Sequence, residues 1–266
     1  MSRNQVRPSL SHLSLLPLVC SLASASWLSL AAPAQAEGCR LALVLALDVS
    51  GSVSAAEDRL QRGGLAAALL APAVRAAFLS GGDVAVYVFE WAGESSQAAL
   101  LPGWVMVRNE ADLVYVASVI SQDGNMGLRA ADSSKDGTAV GSALVHAALA
   151  LSSGPQCLAR TVDVSGDGVN SQGIEPRTVI DTLYDGITVN ALIIDRPIED
   201  PMLELRQGGD QQLAAWFEHA VVHGPGSFHI LAGSYADYEQ AMTAKLLREV
   251  QATFVSGLPR AVGGRT

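Results

Sequence analysis

Residues 41–52 read Leu-Ala-Leu-Val-Leu-Ala-Leu-Asp-Val-Ser-Gly-Ser. The first seven make a short, unbroken apolar run between Arg40 and Asp48. A strand buried on both faces, as in a parallel sheet, has this pattern. Directly after it, Ser54 with Glu57 forms a capping box that opens a helix running to about Leu70.

The same alternation continues outward along the chain. Asp83 to Trp91 reads as a second strand. Ala98 to Val107 holds weaker extended segments broken by Pro102-Gly103, and Asn109 caps a helix through about Ser121. Residues 122–137 are polar and read as a loop, and Ala139 to Leu151 is a helix of small residues. Thr161 to Val164 is a buried strand, Pro176 to Tyr184 a helix with proline in its first turn, and Ile187 to Ile194 a strand. Asp210 to Val222 reads as a helix and Phe228 to Leu231 as the last strand. The final helix carries Tyr238, Met242, Leu246, Val250 and Phe254 on one stripe, a core face. Strand–helix alternation predicts an α/β fold: a doubly wound, mostly parallel central sheet with helices on both faces. No internal repeat or linker divides it, so one domain over 37–256 is expected, with a flexible tail at 257–266.

Composition bounds the function. The chain has 266 residues, 49% of them hydrophobic and 16% charged, which argues against disorder. A net charge of −9 argues against a nucleic-acid surface, which needs a basic patch. Arg3 and Arg7 precede a stretch from Pro8 to Ala36 without a charged residue, ending in Ala34-Gln35-Ala36. This is the pattern of a signal peptide over 1–36, with cleavage expected after Ala36 and a periplasmic or secreted product. The alternative is an uncleaved anchor, against which Pro17, Pro33 and the serines of this stretch count. Val19 before Cys20 does not fit a lipoprotein site, and no membrane span is expected in the mature chain.

The chemistry concentrates at strand ends. Asp48 follows the first buried strand, where ligands of open α/β sheets bind. Asp48, Ser50 and Ser52 send alternate side chains the same way if the backbone is extended, converging a carboxylate and two hydroxyls. These are hard oxygen donors suited to Mg²⁺. Asp167 in Val162-Asp-Val-Ser-Gly-Asp-Gly168 lies at the carboxyl end of a second strand, with Gly166 and Gly168 allowing a sharp turn. Thr138 opens a helix, as an N-cap or as a further ligand.

The order D-x-S-x-S, then Thr, then Asp resembles the metal-ion-dependent adhesion site of von Willebrand factor type A (vWA) domains, over roughly residues 41–250. The resemblance implies that Asp48, Ser50, Ser52, Thr138 and Asp167 hold a metal, the two aspartates partly through water. Mg²⁺ is the expected ion, with Mn²⁺ or Ca²⁺ as alternatives. It also implies a protein partner that offers an Asp or Glu to the metal. The phrases Asp163-Val-Ser-Gly-Asp-Gly, Glu90-Trp91 and Lys245-Leu-Leu-Arg-Glu249 look like one bacterial, secreted, vWA-like family of unknown function. That family usually shows paired asparagines after the Asp-Gly; this chain has Asn170-Ser171.

Two other functions stay open: a metal-dependent hydrolase with Ser50 or Ser52 as nucleophile, and a structural envelope protein with a vestigial site. A non-enzymatic binding module is the expected class, with no catalytic residue assigned. His219 and His223 lack an HExxH context, His146 sits in an alanine-rich helix, and Trp91 is placed to pack at a strand end.

Cys39 and Cys157 precede Asp48 and Asp167 by stretches that match to within a residue. In the strand order 3-2-1-4-5-6 the first and fourth strands are neighbours. Adjacent strands lie about 4.8 Å apart and a disulfide spans Cα atoms about 4.4–6.8 Å apart. A Cys39–Cys157 bridge is therefore expected on the edge of the sheet opposite the site.

Overall fold

The computed structural model describes residues 38–122, 137–195 and 209–256. The leader with its cleavage point, most of the 122–137 loop and the tail lie outside the described residues.

The apolar run forms β1 (Cys39–Asp48), buried along nearly its whole length. Parallel strands flank it on both sides: β2 (Asp83–Trp91) and β5 (Ala159–Gly166). β6 (Thr188–Ile194) and β7 (His229–Ala232) extend the sheet beyond β5, also in parallel. On the far side of β2 lie two short antiparallel strands, β3 (Gln97–Ala99) and β4 (Val105–Val107). The path β3-β2-β1-β5-β6-β7, with β4 also on β2, follows the expected order. The third position, however, is filled by two antiparallel pieces. The connection from Ala92 to Ser96 is too short for a parallel crossover, which takes about a dozen residues or more, so the chain returns as a hairpin.

Alternating side chains of β1 build two cores. Leu41, Leu43, Leu45 and Leu47 face one layer. It holds α1 (Ala55–Leu70), α2 (Pro72–Phe78), α3 (Glu110–Ile120) and α7 (Tyr238–Ser256). Ala42, Val44 and Ala46 face the other, formed by α4 (Val140–Ser153), α5 (Pro176–Leu183) and α6 (Gly209–Ala220). Helices thus cover both faces, as the alternation implies. The capping boxes Ser54–Glu57 and Asn109–Asp112 are both formed. Tyr238, Met242, Leu246 and Val250 are fully buried, as the stripe predicts. Helix α2 was not anticipated. Ala71, ahead of Pro72, is held in an extended conformation at ψ 135°, which ends α1; Pro72 then starts a new helix.

The sheet also carries buried charge. Glu90 accepts from Arg62 Nε at 2.9 Å, and Asp58 lies 3.4 Å from the same nitrogen. Lys245 Nζ lies 2.7 Å from Asp163 Oδ1 and 2.6 Å from Glu249 Oε1, and Asn190 Nδ2 donates to Glu249 Oε1 at 2.7 Å. This cluster bolts α7 to β5 and β6. Burial, with Glu249 nearby, raises the Asp163 carboxyl against the pull of Lys245. Arg40 spans the other end of this layer, donating to the carbonyls of Ala77 and Val250 at 2.8 Å each.

Cys39 and Cys157 form a disulfide with Cα atoms 4.6 Å apart. Leu41 pairs with Ala159 and Leu47 with Ser165, so the bridge continues the β1–β5 register at a sequence separation of 118. Denatured, unreduced protein lacking residues 1–36 should therefore show no free thiol on titration. Replacing both cysteines by serine should cost about 2–5 kcal/mol in urea unfolding. Lys245→Met should cost about 3–5 kcal/mol in the same assay, because it strands two buried carboxylates without their cation.

Candidate metal centre

The order of strands reverses between β1 and β5, and the site forms at the carboxyl ends of these two strands. Asp48 is the last residue of β1, and Asp167 follows the last residue of β5. After Asp48 the chain turns. Val49 N–H bonds the carbonyl of Trp91 at 2.9 Å, and Val53 N–H closes a turn onto the carbonyl of Ser50 at 2.9 Å. Val49 and Val53 are buried and anchor the segment. Ser50 and Ser52 therefore converge through a turn, not through an extended backbone. Gln61 of α1 steadies the strand end by donating to the Asp48 carbonyl at 2.9 Å.

All five residues expected at the site come together. Asp48 Oδ1 accepts from Ser50 N–H at 2.7 Å. The Ser50 and Ser52 hydroxyls are 3.2 Å apart. Thr138 Oγ1 donates to Ser50 Oγ at 3.4 Å, and Ser52 Oγ donates to Asp167 Oδ1 at 2.7 Å. Asp48 and Ser50 are sealed from solvent, while Ser52 is exposed and Thr138 and Asp167 are half-buried. The cluster thus has a closed floor and an open rim.

Thr138 is not an N-cap: α4 starts after Ala139 with no side-chain cap. Asn170 reaches the helix from the neighbouring loop, and Ser171 holds Thr138 ahead of it. Asn170 Oδ1 accepts from Gly141 N–H at 3.3 Å in the first turn of α4. Ser171 Oγ accepts from Thr138 N–H at 2.9 Å, and Ser171 N–H donates to the Thr138 carbonyl at 2.8 Å. The departure from paired asparagines is thus compatible with a fixed Thr138.

Burial shapes the electrostatics of the centre. Asp48 Oδ2 is buried and has no hydrogen-bond partner among the described residues. Burial first, and then repulsion from Asp167, lift the Asp48 carboxyl from its ordinary 3.8 to about 7. A Cβ on Gly166 would stand 3.3 Å from Asp48 Oδ2, so glycine keeps the space beside that oxygen clear. Two carboxylates, one of them with that buried oxygen, and three hydroxyls suit a hard divalent cation. No group of three His, Cys, Asp or Glu stands together among the described residues, so such an ion would depend on the hydroxyls.

Tyr235 was not identified from the sequence. Its hydroxyl donates to Asp167 Oδ2 at 3.2 Å from a 3₁₀ turn (Tyr235–Asp237), 68 residues further on. No local motif announces it. The other candidates pack as ordinary side chains. Trp91 is fully buried. His146 lies 3.2 Å from the Tyr87 hydroxyl and packs on Phe89. His219 is exposed, and His223 pairs through its backbone with Val189.

Solved structures share this architecture. The minor pilin PilB from Streptococcus sanguinis aligns with a TM-score of 0.54 at 12% identity, over 84% of this chain and 64% of that one. A von Willebrand factor type A protein from Catenulispora acidiphila aligns at 0.50 and 13% identity, over 80% and 43%. The open conformation of the pilus adhesin SpaC from Lactobacillus rhamnosus GG aligns at 0.50 and 14% identity, over 84% and 31%. The chain spans less than two thirds of each of these proteins. At such identities the likeness is one of fold, and that fold is the vWA α/β fold. No curated protein matches the sequence. The family described as "Protein of unknown function (DUF1194)" matches residues 38–254, from the first strand into the last helix, and the chain belongs to that family.

Proposed function

We propose that this chain is an exported, non-enzymatic binding module that holds a divalent cation, Mg²⁺ first, at Asp48, Ser50, Ser52, Thr138 and Asp167. The observation that carries this reading is the buried Asp48 Oδ2, which has no hydrogen-bond partner among the described residues, beside a second carboxylate that repels it. Such a pair is costly unless a positive charge joins it. Asp48 and Asp167 supply the negative charge. Ser50, Ser52 and Thr138 supply neutral oxygens, already gathered by their mutual hydrogen bonds.

A bound Mg²⁺ supplies a hard, positively charged centre able to accept one further carboxylate. The open rim at Ser52 leaves room for an Asp or Glu side chain of a protein partner to approach. Export rests on the leader pattern, with the Cys39–Cys157 disulfide in agreement, since such bridges persist in oxidising compartments. No helix among the described residues is long and apolar enough to cross a membrane. A crosslinking pull-down from the cell envelope, run with Mg²⁺ and with EDTA, tests the partner. Hydrolysis of ester or phosphate substrates that Ser50→Ala abolishes would replace binding with catalysis.

Mn²⁺ should stabilise the wild type by mass action, by about 2.7 kcal/mol at a hundredfold excess over Kd, and so raise its Tm. Asp48→Ala should keep the fold and lose that shift. Equal responses of the two proteins would show the site to be wrongly assigned.

The effect should also depend on pH. The folded Asp48 carboxyl sits near 7, above its ordinary 3.8. A raised folded value means that the proton stabilises the metal-free protein at low pH and that this contribution fades as pH rises through about 7. The metal needs the anion. The Mn²⁺-induced Tm shift should therefore be small near pH 5 and grow across neutrality. A shift of constant size over that range would count against Asp48 as a ligand.

A further inference from the structure

We infer that Tyr235 is a positioning residue of the metal centre, whose hydroxyl holds Asp167 in place against Asp48. This rests on the metal-binding reading above.

Asp167 lies beyond the end of β5 and is only half-buried, and Asp48 repels it. Donors on both of its oxygens offset that repulsion. Ser52 Oγ donates to Oδ1 at 2.7 Å and the Tyr235 hydroxyl to Oδ2 at 3.2 Å. Ser52 is exposed and belongs to the site itself, whereas Tyr235 comes from the core.

The placement of Tyr235 is built in. Ser234 Oγ accepts from Ala236 N–H at 3.2 Å and donates to Asp237 Oδ2 at 2.8 Å, which fixes the turn. The ring packs into the apolar layer between the sheet and its helices, where phenylalanine would fill the same space. Phenylalanine would not provide the hydroxyl, whose partner is the site carboxylate. Burial, and after it the charge of Asp167, push Tyr235 ionisation far above its usual value, so the group stays a donor.

Tyr238 provides an internal control. It lies one turn later, is fully buried, and its hydroxyl stands 3.1 Å from Ser165 Oγ on the same strand. Ser165 is not part of the centre. Tyr238→Phe therefore removes a comparable buried hydroxyl from the same segment without touching Asp167.

The test is calorimetric titration of Mn²⁺ into wild type, Tyr235→Phe and Tyr238→Phe. Loss of a group that orients a metal ligand typically costs about 10–100-fold in affinity. Tyr235→Phe should weaken Mn²⁺ binding by about tenfold or more. Tyr238→Phe should bind as the wild type does. The inference falls if Tyr235→Phe binds Mn²⁺ like the wild type, if both variants weaken alike, or if Tyr235→Phe does not fold. A wild type that binds no Mn²⁺ overturns the metal centre itself, and with it this role.

Discussion

The pairing of β1 with β5 is the constraint on which the rest depends. One register, Leu41 with Ala159 through Leu47 with Ser165, sets both ends of the molecule. At the amino end it brings Cys39 and Cys157 within bridging distance. At the carboxyl end it sets Asp48 beside the turn that carries Asp167. A slip of one residue would turn every side chain of β1 to the wrong core. It would also part the cysteines and misplace the carboxylates. The disulfide and the candidate centre are thus two readings of a single alignment.

Much of this was legible in the sequence, for physical reasons. A central parallel strand has to be apolar on both faces, and Leu41–Leu47 is. Capping boxes are local, so Ser54 and Asn109 marked the starts of α1 and α3 correctly. The strand order put the cysteines at one edge and the aspartates at the other. The illegible parts are non-local or depend on backbone detail. The turn at Ser50–Val53 replaces the extended path expected for D-x-S-x-S. Ser171 fixes Thr138 from 33 residues away. Tyr235 reaches Asp167 from the far end of the chain, and one tyrosine in an apolar stretch looks like any other core residue.

The family-like phrases away from the site have structural explanations. Glu90 is the buried partner of Arg62, and Lys245 joins Asp163 to Glu249. Removing one member would leave an uncompensated charge in the core. They act on the placement of α1 and α7 against the sheet. Their link to the candidate centre is architectural: Asp163, Ser165 and Asp167 alternate along β5 and beyond it, and all three meet the segment from Tyr235 to Glu249.

The two margins of the sheet have a consequence of their own. One ends in β7, from His229 to Ala232; the other ends in the three-residue strands β3 and β4, interrupted at Pro102-Gly103. Long bare margins invite other chains to add strands and start aggregates. Margins this short, one of them interrupted by a proline, offer little template for such growth.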